Sequence, residues 1–234
     1  MTDRITTLNT SYGFDVSTQE RNKVLRNTYW LLSLSMVPTI LGAWIGVATG
    51  VGAAMATMSP WIGLIVFMGG AFGFMFAIEK FKNSAAGVPI LLAFTFFMGL
   101  MLSRLVGNIL GFSNGASLIM TAFAGTGGIF FGMATLSTVI KRDLSSMGKF
   151  LFIGMIMVLV AAIANIFFQS TALMIALSVL VIGISAAFIL YDLKRVKDGE
   201  ETNYISATLG VYLSLYNIFS NLLALLGIFG GERD

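Results

Sequence analysis

This chain predicts an all-α membrane protein, a bundle of seven transmembrane helices. Three observations carry that prediction. Of its 234 residues, 57% are hydrophobic and only 11% charged, against about 25% charge in an ordinary soluble domain. A soluble fold needs polar cover for its surface, and lipid removes that need. The apolar residues also fall into seven long runs that are greasy on all sides. They lack the alternation of a barrel wall, and helices satisfy their own backbone hydrogen bonds in lipid. Finally, the links between runs alternate between charged and uncharged.

A spanning helix needs roughly 20 mostly apolar residues. The first run covers about 29–56 and contains Pro38, a candidate kink. The second, about 61–78, is entered through Pro60, and the third, about 88–110, carries Pro89 in its first turn, where proline is tolerated. The fourth to seventh cover about 116–140, 149–168, 172–192 and 204–229, the sixth with room to continue to Gly199. Small residues recur at four-residue spacing in Gly42/Gly46, Gly69/Gly73 and Gly128/Gly132. Such pairs let helices approach closely, within one chain or across a dimer.

The charges set the topology. A polar N-terminal arm (1–28) holds Arg4, Arg21, Lys23 and Arg26. The second link holds Glu79, Lys80 and Lys82, the fourth Lys141, Arg142 and Asp143 with Lys149 beside it, and the sixth Lys194, Arg195 and Lys197 among acids. The first, third and fifth links have no charge. Basic loops stay cytoplasmic, so the N-terminus is expected inside and the short tail 230–234, with Glu232, Arg233 and Asp234, outside. The basic residues thus read as topology and not as a nucleic-acid surface. The first 28 residues are polar and are not expected to form a cleavable leader, and the first span is expected to serve as an uncleaved signal.

Composition also excludes chemistry. There is no cysteine and no histidine, so disulfides, thiolate nucleophiles, imidazole catalysis and zinc sites built on those residues are out. A histidine pH switch is out as well. No cofactor or metal is expected. The Tyr191-Asp192 pair matches the first motif of intramembrane aspartyl proteases, but the next helix offers no second aspartate. Gly125-Thr126-Gly127-Gly128 lacks the spacing of a phosphate loop. An enzyme is therefore not expected.

What remains is polar residues in or near the membrane, and these converge between Ile189 and Gly227. Asp192 sits where the sixth apolar run ends. It either faces water or, if the helix continues to Gly199, lies two turns inside and needs a donor. On the last helix Tyr212, Tyr216 and Ser220 share one stripe, and Asn217 and Asn221 the adjacent one. That face is expected to point inward, as interhelical glue or as a path. Arg104, about six residues from the outer end of span three, is a functional candidate by default, although its side chain can snorkel to the interface. Asn108 and Asn165, near outer helix ends, read as helix-to-helix bonds. Glu79 and Lys80 mark the inner end of span two, as a solvated helix end or as partners of Asp192.

The segments VLRNTYWLLSLSM and, more specifically, GETNYISATLGVYLSLYNIFSNLLALLG resemble the Bax inhibitor-1 family, also called the transmembrane Bax inhibitor motif family, closest to its bacterial YccA-like branch. The resemblance covers most of the chain. It implies a seven-helix bundle with the last helix central. It implies association with proton-sensitive calcium leak and with stress control, and for the bacterial branch, in the inner membrane, with the membrane-bound ATP-dependent protease FtsH as modulator and substrate. In calcium-leaking members two aspartates pair across the last two helices. The first matches Asp192, and the second falls on Ser214, which can only share a hydrogen bond. Two neighbouring carboxylates raise one another's affinity for a proton, and calcium favours several carboxylates. A lone acid does neither. The family's glycine-proline in span three is also replaced, by Ser103-Arg104. The expected function is accordingly a regulator working with a membrane protease complex. The alternative is a pH-sensitive calcium or cation leak gated at Asp192, with Ser214, Asn217, Tyr212 and Tyr216 around it.

Overall fold

The computed structural model describes residues 17–57 and 59–232. Within these described residues eight α-helices follow one another: α1 (Thr18–Ala48), α2 (Val51–Thr57), α3 (Pro60–Phe81), α4 (Gly87–Leu110), α5 (Gly115–Val139), α6 (Met147–Phe168), α7 (Thr171–Asp198) and α8 (Tyr204–Gly230). Among the described residues, all of these except α2 are long and apolar enough to cross a bilayer, which makes seven. The 25 residues of α5 extend about 37 Å, beyond the roughly 30 Å of a hydrocarbon core.

Successive long helices run antiparallel, so their links gather at two rims. At the basic rim, the Asn203 amide donates to the Lys82 carbonyl (3.2 Å) and to Asn83 Oδ1 (2.8 Å), tying the α7–α8 link to the α3–α4 link. Lys197 donates there to the Thr138 carbonyl at the end of α5. At the neutral rim, Asn114 donates to the Gly230 carbonyl (2.6 Å), and the Ser113 N–H donates to the Glu232 carbonyl (3.0 Å). These bonds hold the end of α8 against the α4–α5 link.

The last helix is central, as the resemblance implies. It packs against α1, α3, α4, α5 and α7, and α1, α4, α5 and α7 adjoin one another around it. α3 rests on α4 and α6 on α7; their neutral-rim ends meet where the rings of Trp61 and Phe167 lie 5.1 Å apart. The main core sits along α8, with Leu91, Phe94, Met98, Ile189, Leu193, Val211, Tyr212 and Ile218 closed off from solvent. A smaller cluster of Ile109, Leu118, Ala122 and Leu223 fills the neutral end. Large side chains such as Phe72, Phe76, Phe131, Phe150 and Phe168 are exposed, as suits a surface facing lipid.

The glycine pairs divide. Gly42 and Gly46 of α1 face Gly99 and Ser103 of α4 so closely that a Cβ at Gly42 would stand 3.0 Å from the Leu100 nitrogen. This is close packing by small residues within the chain. Gly69, Gly73, Gly128 and Gly132 have nothing within 4 Å of a Cβ position.

Two helix boundaries differ from the sequence expectation, and a third settles an alternative it left open. The first helix begins at Thr18, before the apolar run, because Ser17 and Glu20 form a capping box: the Glu20 N–H donates to Ser17 Oγ (3.2 Å) and the Ser17 N–H to Glu20 Oε2 (3.1 Å). Residues 18–28 of the expected arm are therefore helical, and residues 1–16 lie outside the described part, as do Arg233 and Asp234 of the tail. The run 29–56 is not one helix. It breaks after Ala48 at Gly50, whose φ of 75° suits a residue without a side chain. The short α2 then lies over α4, where a Cβ on Gly52 would come within 2.9 Å of the Ser103 backbone. Finally, α7 does continue to Asp198 and closes at Gly199 (φ 85°), whose N–H reaches the carbonyls of Arg195 and Val196.

Candidate functional site

That extension places Asp192 inside α7, with the helix continuing for more than one turn beyond it. Its carboxylate lies against α8 at Gly210: a Cβ there would meet Asp192 Oδ2 at 2.6 Å and Cγ at 3.2 Å. Glycine is thus what lets the acid reach the backbone surface of α8. Asp192 is partly buried, and its carboxylate has no hydrogen bond or ion pair with another described residue. The charges that act on it are Arg195, which attracts, and Glu201, which repels.

Arg195 does not close on Asp192. It stacks on the Tyr191 ring (5.5 Å) and faces Glu200 (3.7 Å) and Glu201 (4.0 Å). Tyr191 also lies against Gly148 at the start of α6, where a Cβ would meet the phenol oxygen at 2.5 Å. Lys194 is buried and bound by both oxygens of Asp198, one turn on. Nearby, in the α5–α6 link, the Ser145 N–H donates to Asp143 (2.8 Å) and holds that carboxyl below the usual carboxylate range. The basic rim around Asp192 is thus fastened by its own ion pairs.

Helix periodicity extends the site into the bundle. On α8, Ser206 and Ser214 lie one turn either side of Gly210, and Asn217 two turns on, so all four share the face turned towards Asp192. On α7, Ser185 lies two turns before Asp192 on the same face. The hydroxyls of Ser185 and Ser206 are buried with no hydrogen-bond partner, and Ser214 is also buried. The α7–α8 seam is therefore a line of small polar groups containing one acid. Among the described residues no three carboxylates gather as a metal site would require.

The other predicted residues sort clearly. Tyr212 is buried, and its hydroxyl meets Thr39 Oγ1 of α1 (2.9 Å) and the Thr95 carbonyl of α4 (3.4 Å). Thr39 Oγ1 also lies 2.8 Å from the Ser35 carbonyl, so the two hydroxyl hydrogens of Thr39 and Tyr212 are shared among three contacts, and either hydroxyl can donate to the other. Tyr216 packs its ring 6.4 Å from that of Tyr212. Ser220 and Asn221 both donate to the Asn217 carbonyl, within α8 itself, so they do not join helices. Arg104 and Asn108 are exposed, and Asn165 bonds Ser170 across the α6–α7 turn. Glu79 pairs with Lys82, and Lys80 lies over Phe81, so neither reaches Asp192. Gly210, Thr39, Thr95, Ser185 and Ser206 escaped the sequence reading. Periodicity outward from Asp192 and Ser214 could have found Ser185, Ser206 and Gly210, but nothing in the sequence marks Thr39 or Thr95.

Comparison with known proteins agrees with the bundle. The Vibrio cholerae serotype O1 protein called "Uncharacterized membrane protein" is 38% identical over 90% of this chain and 92% of its own. The Escherichia coli K12 protein "Modulator of FtsH protease YccA" is 38% identical over 91% of this chain and 92% of its own. The same figures hold for "Inner membrane protein YccA" of E. coli O6:H1. The family profile Bax1-I, described as "Inhibitor of apoptosis-promoting Bax1", matches residues 21–231. With seven membrane-length helices, a central last helix and a match along nearly its whole length, this multi-pass membrane protein belongs to the Bax inhibitor-1 family.

Proposed function

We propose that the protein is a regulator of a membrane-bound ATP-dependent protease of the FtsH kind, acting as its modulator and itself a substrate. On this reading it sits in the inner membrane with its basic rim on the cytoplasmic side. The observation that carries the proposal is the 38% identity, over nine-tenths of both chains, to a protein named as a modulator of that protease. The site supports it in kind. One acid held against a glycine, among hydroxyls and amides, joins α7 to α8 without an acid–base pair or a cage of carboxylates. The polar groups of α8 that leave their own helix bind neighbouring helices.

The handle for the protease is the polar N-terminal segment, residues 1–16, which precedes the Ser17 cap in the sequence. Deleting residues 1–16 spares the capping box and α1. The expected result is a lifetime in cells as long as that of the full chain in cells lacking the protease. An unchanged lifetime after deletion contradicts this role for the segment.

A further inference from the structure

At the basic rim, outside the polar seam, α1 and the start of α8 enclose a groove of about 570 Å³ on the membrane-facing surface. Asn27, Trp30, Leu31, Ser33, Leu34 and Tyr204 line it. Its composition is graded along α1. Leu31 and Leu34 form the deeper, apolar part, whereas the Asn27 amide, the Trp30 indole N–H and the Tyr204 hydroxyl make no hydrogen bond to any described residue. Ser33 already donates to the Tyr29 carbonyl (2.9 Å).

Beyond the polar end lie two cations. Lys23 is one turn before Asn27 and Arg26 one turn before Trp30, so both fall on the groove's side of α1, about 6 Å along the helix axis from the residues they precede. Both are exposed, and neither has an acidic partner among the described residues. This sets them apart from Lys82, Lys194 and Arg195 at the same rim, which are each held by acids. Trp30 is 73% exposed, in the position of an interfacial anchor.

We propose that this groove is a binding site for one anionic phospholipid. Its phosphate faces Lys23 and Arg26, its glycerol and ester oxygens face Asn27, Trp30 and Tyr204, and an acyl chain lies along Leu31 and Leu34. The charge argues for a lipid with a net negative headgroup over a zwitterionic one, because each juxtamembrane cation adds attraction to anionic lipid and none to a neutral headgroup. The order of the groups, cations then amide, indole and phenol then leucines, follows the order of a phospholipid from headgroup to tail.

The test uses the full chain in nanodiscs with Trp44→Phe and Trp61→Phe, so that Trp30 is its only tryptophan and is excited selectively at the red edge of the band. Brominated phosphatidylglycerol is compared with brominated phosphatidylcholine as quencher. The expected result is half-quenching at a mole fraction about tenfold lower for phosphatidylglycerol. That preference disappears with Lys23→Gln plus Arg26→Gln, and persists with Lys23→Arg plus Arg26→Lys. In the unsubstituted groove it weakens as salt is raised. Equal quenching by the two lipids, or a preference that survives both the glutamine substitutions and high salt, overturns the proposal. So does protection of Trp30 from both quenchers, which would mark a protein partner or a second copy seated there.

Discussion

Gly99→Val lowers the stability of the bundle by about 3 kcal/mol, the upper part of the range for overpacked cores. Any Cβ at Gly99 overlaps the Thr39 carbonyl oxygen and stands 3.0 Å from the Ala43 nitrogen. These are backbone atoms of α1 and cannot rotate away. Relief requires α1 and α4 to separate, and that separation also pulls Thr39 from Tyr212. Reversible unfolding in detergent measures the loss. Gly128→Val is the control: nothing lies within 4 Å of its Cβ position, and its effect should stay within about 0.5 kcal/mol. Equal losses at the two positions would mean that α1 and α4 do not meet as described.

Tyr212→Ala should cost about 3–5 kcal/mol, as for other large buried aromatic side chains. The ring is 1% exposed, packs 6.1 Å from Phe94, and carries the hydroxyl that joins α8 to α1 and α4. Tyr212→Phe separates the two contributions. It keeps the ring and removes the hydroxyl, for a loss of about 1 kcal/mol. A Phe variant as unstable as the Ala variant would place most of the stabilisation in the hydroxyl and contradict the packing argument.

The helices were legible because the bilayer imposes a length and an all-round apolar character that few other environments demand. Their packing was legible only in part. Gly42 and Gly46 read as a close-contact pair and are one, but Gly69 with Gly73 and Gly128 with Gly132 have the same spacing and face outward. Spacing records which residues share a face, not what lies opposite. The break at Gly50 was hidden for a similar reason: its neighbours are as apolar as a continuous helix, and only the backbone dihedral shows the turn. At the other end of α1, polarity hid a helix, since the Ser17–Glu20 box starts it ahead of the membrane run.

The site was half legible. Asp192 and Ser214 stood out because charge and polarity are rare in such a chain. The extension of α7 to Gly199, on which the position of Asp192 depends, followed from a known helix-end signal. Gly210 did not stand out. In a sequence with 26 glycines, nothing singles out the one against which the carboxylate rests. Nor could periodicity tell that Ser220 and Asn221 bond within their own helix while Tyr212 reaches across to two others.

The protein contains no cysteine, so single cysteines report its threading directly. Ser145→Cys lies in the α5–α6 link and Glu232→Cys beyond α8, with three membrane-length helices between them. In intact spheroplasts, a membrane-impermeant maleimide should label Glu232→Cys at once and Ser145→Cys only after lysis. Labelling of both without lysis, or of neither, would put the two rims on one side of the membrane and contradict a bundle that crosses it seven times.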